Sequence, residues 1–278
     1  MPDSAMPDSP MPDFPIKLGS MLFTMVEPSR GHEVAYNRWY ERDHFYAGCM
    51  IGEWTFAGQR WVATRDLKAL RYPKQPNIMT PDPATGSFLA LYWILAGHYD
   101  EWNRWAVDQV KRLHADGRMF AQREHIHTLM YGYDWGVQRD PSGVSPELAL
   151  DHRFAGLVVV AGEAVGGAQG GGDQRDGLDR WYRDEHLPAV LPGSSVSLCL
   201  SFTPRPLLAD APGVPHAEPP AGRFLHLYFL DSPAADVWEE TFAGHGEALA
   251  ASGLGRLLWA APFRPTIPGT DTYTDELW

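Results

Sequence analysis

Two histidines stand in the same local setting, and imidazole is the side chain best suited to move a proton near neutral pH. His44 ends the run Asn37, Arg38, Trp39, Tyr40, Glu41, Arg42, Asp43, His44. His186 ends the run Asp179, Arg180, Trp181, Tyr182, Arg183, Asp184, Glu185, His186. Both fit x-R-W-Y-x-x-[DE]-H. Around His44 lie Trp39, Tyr40, Tyr46, Cys49, Glu53 and Trp54, a polar and aromatic set; His186 is followed by Leu187, Pro188, Ala189 and Val190, which suit packing. The first setting is that of a general acid/base, with Tyr40 or Tyr46 orienting a substrate or stabilising an enolate. The plainer role for each histidine is that of a cation closing a helix C-terminus. The working site is expected in the first half. Asp43 and Glu185 precede the histidines and are expected in structural ion pairs, with Arg38 and Arg180 as candidate partners.

Other residues could do chemistry. His125 and His127 are two apart on an expected strand, which would aim both at one face; with a carboxylate such as Glu53 they could bind a metal. No third ligand stands at a recognisable spacing, so no metal site is expected. Tyr92, His98, Tyr131 and Tyr133 are candidate cavity residues, equally able to serve as packed aromatics. His226 and Tyr228 make one face of their strand more polar than a dry core. The glycine run from Gly166 to Gly172 lacks the Lys-Ser/Thr end of a phosphate loop and reads as a flexible linker.

The elements that must position these residues repeat. The shared motif recurs after 142 residues, and Phe88, Leu89, Leu91 and Tyr92 are echoed by Phe224, Leu225, Leu227 and Tyr228 after 136. Two echoes in the same order indicate a tandem duplication. In the first half the apolar runs predict strands over 18–26, 54–63, 88–96 and 126–135, with helices over 33–44 and 99–115. Gly48 and Gly52 are expected to mark the end of the first helix, and residues 64–87 to be irregular. In the second half strands are expected over 154–161, 195–203, 223–230 and 256–263, with helices over 178–186, closed by Pro188, and 234–252. Residues 162–177 and 204–222 read as loops. Each half is therefore β-α-β-β-α-β, the ferredoxin-like unit. The units span residues 16–136 and 153–266, with a tail over 1–15, a linker over 137–152 and a second tail over 267–278. A sheet with helices on one face leaves the other bare. Two such α+β units can press sheet to sheet as an α/β barrel, with room for a cavity between the sheets.

Composition narrows the partners. The 278-residue chain is 44% hydrophobic and 12% aromatic, enough for a real core. Its formal net charge of −12 argues against nucleic acid or an anionic membrane. Cys49 and Cys199 are the only cysteines and read as buried thiols. With no long apolar run and no leader pattern, a cytoplasmic protein is expected. Because the bare sheet faces can be paired within one chain, either a monomer or a homodimer is allowed.

The order strand, W-Y-x-x-[DE]-H helix, loop and strand resembles the dimeric α/β-barrel superfamily, and its EthD-like branch in particular. Trp181, Glu185, His186 and Pro188 match that branch's W-x-x-x-[DE]-H-x-P signature; Trp39, Asp43 and His44 match too, but Tyr46 replaces the proline. The resemblance implies a ligand cavity with His and Tyr as polar groups, and an enzyme without a dissociable organic cofactor. The expected chemistry is proton transfer on a small apolar, aromatic or polyketide-like compound: isomerisation, cyclisation, dehydration or cofactor-free oxygenation. His44, Tyr40 and Tyr46 would be catalytic. Trp39, Cys49, Glu53, Trp54, Tyr92, His98 and His186 would bind substrate. The alternatives are a haem enzyme of the same superfamily and a non-catalytic ligand-binding protein.

Overall fold

The computed structural model describes residues 15–165, 171–206 and 221–278. The first half runs β1 (Leu18–Pro28), α1 (Glu33–Trp39), β2 (Thr55–Val62), α2 (Arg65–Leu70), β3 (Phe88–Leu95), α3 (Tyr99–Ala115) and β4 (Arg123–Gln138). The second runs β5 (Gly156–Ala164), α4 (Gly171–Trp181), α5 (Leu187–Val190), β6 (Val196–Arg205), β7 (Arg223–Leu230), α6 (His245–Ala251) and β8 (Gly255–Pro265). Among the described residues no helix is long and apolar enough to cross a membrane.

All eight strands are antiparallel members of one closed barrel, in the order β1-β3-β2-β8-β5-β7-β6-β4. Each half contributes the ferredoxin-like order, β4-β1-β3-β2 and β8-β5-β7-β6, and two seams join them. At one seam β4 and β6 pair over eight positions, from Met130 opposite Arg205 to Gln138 opposite Leu198. At the other, β2 and β8 pair only at Trp61 with Pro265 and Val62 with Arg264.

Period-2 alternation explains why the barrel closes. Along β1, Met21, Phe23 and Met25 turn inward; along β3, Leu89, Leu91 and Trp93; along β7, Leu225, Leu227 and Phe229. These meet Phe202, Trp259 and Phe263 in one packed core. The space expected between the two sheets is thus filled by large side chains. Two further cores lie outside the barrel, one between each half's sheet and its helices. Helix α3 fits this layer because Trp102, Val107 and Leu113 face the sheet, while Asp100 and Glu101 in its first turn and Arg112 and His114 in its last suit its dipole.

Several local expectations are corrected. The first helix does not end at His44: π-helical turns carry it through Tyr40–His44 and Tyr46–Met50, so Gly48 lies inside it. Helix α2 forms within the segment read as irregular. Helix α4 begins at Gly171, before the expected start, and a π turn over Tyr182–His186 leads into α5, whose first turn holds Pro188. The helix expected over 234–252 is a π turn at Trp238–Phe242 followed by α6. The N-terminal repeats at 1–14, positions 166–170 of the glycine-rich loop and most of the 204–222 loop lie outside the described residues. Residues 267–278, expected as a tail, pack on the first half. Leu277 is buried, Asn37 Nδ2 donates to Thr270 O at 2.9 Å, and Arg38 Nε donates to Asp271 Oδ1 at 3.0 Å.

The barrel core carries the fold, so truncating it should be expensive. Leu227→Ala removes a fully buried side chain from the barrel interior and should cost about 2–5 kcal/mol. In urea unfolding the midpoint should fall while the slope stays at the wild-type value.

Candidate active site

The motif's spacing acquires its meaning from the π turns. Residues five apart diverge on an α-helix but come one above another when the backbone bonds i→i+5. The Phe45 amide donates to Tyr40 O, and the Leu187 amide to Tyr182 O, in that pattern. Trp39 therefore stacks on His44 with ring centroids 4.5 Å apart and planes 19° apart; Trp181 stacks on His186 at 4.6 Å and 23°. Tyr40 and Tyr182 meet the same histidines edge-on, at 5.3 and 5.4 Å.

Between the first-half sheet and its helices lies a cavity of about 90 Å³. Tyr40, His44, Gly48 and Cys49 come from the extended helix, Leu22 and Thr24 from β1, Arg123, His125 and Thr128 from β4, and Trp102 and Asn103 from α3. Gly48 makes room for the imidazole: a Cβ there would lie 2.9 Å from His44 Cε1. His44 Nδ1 is buried with no hydrogen-bond partner. Protonating the ring would strand an N–H at that nitrogen. Burial, reinforced by the Arg123 guanidinium and His125, pushes the His44 pKa down to about 3, so the ring is neutral at pH 7.

One wall is a directional chain of hydrogen bonds. Arg123 can only donate, so His125 Nε2, 3.5 Å from Arg123 Nη2, must be the accepting nitrogen. His125 Nδ1–H then donates to Thr128 Oγ1 at 2.9 Å, and the Thr128 and Thr24 hydroxyls share a hydrogen bond at 2.9 Å. Burial and Arg123 hold His125 near 4. A β-bulge sets this up. Met25 pairs with His127 and Val26 with His125, so Ile126 is an extra residue. His127 therefore turns into the barrel, where it meets Phe23 and bonds Tyr131 OH at 2.7 Å. The two histidines face opposite sides of the sheet, contrary to the alternation expected of them. Among the described residues no three His, Cys, Asp or Glu converge as metal ligands.

The structure gathers some of the expected residues and scatters others. Tyr40 OH lies 3.0 Å from Tyr92 OH, and the Cys49 thiol bonds Tyr92, in a buried cluster beside the cavity. Burial pushes the thiol up to about 12, which makes it an inert wall rather than a nucleophile. Tyr46, 55% exposed, points away from His44 into a separate groove. Glu53 is exposed in the turn before β2 and does not line the cavity. Trp54 stacks on His98 at 3.7 Å, also away from it. Asp43 pairs with Arg118 and Arg38 with Asp271, not with each other. Thr24, Asn103, Arg123 and Thr128 were not singled out from sequence. Their strands could be read, but their facing depends on a bulge that no local signal marks.

Strand register allows a position-by-position comparison of the halves. The bulge recurs, with Ala161 opposite Trp259 and Gly162 opposite Leu257. Val160 then stands for Thr24, Ala260 for Thr128, Leu257 for His125 and Gly255 for Arg123. His226 stands for Ala90, and Val190 for Gly48. The second half has lost the polar wall, and the His226 ring packs 4.4 Å from Tyr182. His186 itself packs against Trp181, Tyr182 and His245, and Tyr182 OH lies 3.1 Å from His245 Nε2.

Neutral buried histidines make the fold acid-sensitive. Burial lowers His226 well below its ordinary value and His245 to about 3. Their folded pKa values lie below the unfolded value near 6.5, so below that pH the unfolded chain takes up protons the folded one refuses. The stability these two neutral rings contribute is complete above about pH 6.5 and is lost as pH falls below it. The urea midpoint should decline steeply across that window, and replacing His226 with Phe should flatten the decline.

No protein-family model matches the chain, and no curated protein matches it in sequence. Solved structures do match. An anthrone oxidase-like protein superposes with TM-score 0.52 at 8% identity, over 92% of this chain and 95% of that one. A candidate chlorite dismutase does so with TM-score 0.50 at 13% identity, over 94% and 100%. The chain has the ferredoxin-like dimeric α+β barrel fold, with both layers of the barrel supplied by one polypeptide.

Proposed function

We propose that the chain is an enzyme that removes a proton from a small, largely apolar carbon acid or phenol in the first-half cavity, without a dissociable organic cofactor. The observation that carries this reading is a neutral imidazole, His44, facing a small, largely apolar cavity beside a guanidinium, Arg123. His44 serves as the base. The substrate anion that forms is stabilised by Arg123, whose charge is already desolvated and in place. The stacked Trp39 and edge-on Tyr40 fix the plane of the imidazole. Leu22, Ala106, Val107 and Val110 supply the apolar wall. The resulting carbanion can be reprotonated elsewhere, which is isomerisation, or react with dioxygen, which is oxygenation. The anthrone oxidase-like neighbour and the EthD-like motif favour oxygenation. The pairing of both sheet layers within one chain supports a working monomer, and the acidic surface supports a cytoplasmic, small-molecule role.

A haem reading fits less well. Binding sites for drug-sized ligands run to about 300–1,000 Å³, and the His44 cavity, at about 90 Å³, is too small for a porphyrin. The larger groove nearby carries no histidine.

Exchange of the acidic hydrogen in D₂O tests proton abstraction directly, across small monocyclic carbon acids such as 1,3-diketones, with oxygen uptake followed in parallel. His44→Ala should slow exchange by about 10²- to 10⁴-fold, and His186→Ala should leave it near the wild-type rate. Equal exchange by wild type and His44→Ala would sink the assignment. A second expectation concerns pH. The base must be neutral to act, so activity should stay level on the acidic side down through pH 5. Arg123→Gln removes the neighbouring cation, raises the His44 pKa toward its ordinary value and moves the acidic limb of the pH–rate profile upward.

A further inference from the structure

The two barrel seams differ, and the weaker one is open. Because β2 leaves β8 after two pairs, the stretch Thr55–Arg60 has no strand beside it on that edge. A groove of about 760 Å³ occupies the gap. The extended first helix forms the partition: Tyr40, His44 and Gly48 face the inner cavity, while Glu41, Phe45 and Tyr46 face the groove.

The groove's chemistry is specific. Phe45, Tyr46 and Phe154 line it with aromatic surface, and Arg60 and Arg153 supply two cations in a chain of net charge −12. Arg60 is 7% exposed, with its guanidinium over the Tyr40 and Phe88 rings at 4.7 and 5.4 Å; its Nη1 donates to Asn37 Oδ1 at 3.0 Å, and Nη2 makes no hydrogen bond. Arg153 is exposed and makes no ion pair among the described residues. The single carboxylate in the groove, Glu41, is already engaged by the Gly269 amide at 3.1 Å and lies 4.0 Å from Arg60. Buried polar groups left bare are costly, and bare donors beside aromatic walls are what a flat anion satisfies.

We infer that this open seam is a second binding site, distinct from the His44 cavity, for a flat aromatic carboxylate. The carboxylate pairs with the exposed Arg153, with the Arg60 charge behind it, and the rings lie on Phe45 and Tyr46. The site draws on residues of both halves, so it exists only when the barrel is closed.

The probe is 6-hydroxy-2-naphthoate, followed by its own fluorescence, with 2-naphthol as the uncharged comparison. The full-length protein should bind the acid saturably. Arg153→Gln should weaken it about tenfold, the loss of one charge-assisted contact, and leave 2-naphthol unchanged. Tyr46→Ala, at an exposed position, should weaken both compounds. His44→Gln should leave acid binding at the wild-type level, since the inner cavity is not involved. The inference fails if the acid does not bind, if Arg153→Gln binds it as tightly as the wild type, or if His44→Gln abolishes binding. Circular dichroism of each variant keeps loss of fold separate from loss of site.

Discussion

A four-stranded sheet with helices on one side has an apolar face left over, and in this protein each half's leftover face is covered by the other's. Met21, Phe23, Leu91 and Trp93 from one half meet Phe202, Leu227, Phe229 and Trp259 from the other. The area buried this way is the largest favourable contribution available to a chain of this length. It is also the reason the site lies where it does. With the barrel interior packed, the pocket beside the motif histidine lies in the outer layer, between sheet and helices.

Within that layer, a departure from regular geometry builds each part of the site. The π turn brings an indole over an imidazole across five residues, which an α-helix would hold apart. The bulge at Ile126 turns His125 outward to Arg123 and Thr128 while sending His127 into the barrel. A glycine at 48 leaves the hole the imidazole needs. π turns and bulges recur at functional sites because they re-aim single side chains without disturbing the scaffold.

The sequence was readable where periodicity is strong. Strands β3 and β7 are near-continuous apolar runs, and α3 repeats its large residues every third or fourth position, so their limits match closely. The repeated motif likewise pointed to a helix carrying His44. What could not be read were the irregular features. Counting at 3.6 residues per turn ended the first helix too early and drew Tyr46, Glu53 and Trp54 into a site that they do not enter. Counting by twos put His125 and His127 on one face, because an inserted residue leaves no trace in a hydrophobic pattern. Arg123 and the two threonines escaped notice for the same reason. Residues on a strand are easily assigned to it, but which side they face depends on every bulge before them.

Joining the two barrel layers in one polypeptide changes what substitution can do. Two identical subunits arranged like these halves would have to carry each residue twice, related by the symmetry axis. A histidine where Ala90 stands would then fill both pockets at once, and an arginine at 123 would appear on both sides. Here the two positions are independent. One half can hold the polar wall, the bare imidazole and the hole beside it, while its counterpart fills the same space with His226, Val160 and Leu257. The covalent link therefore releases the architecture from its own symmetry, so one side is free to specialise while the other holds the barrel shut.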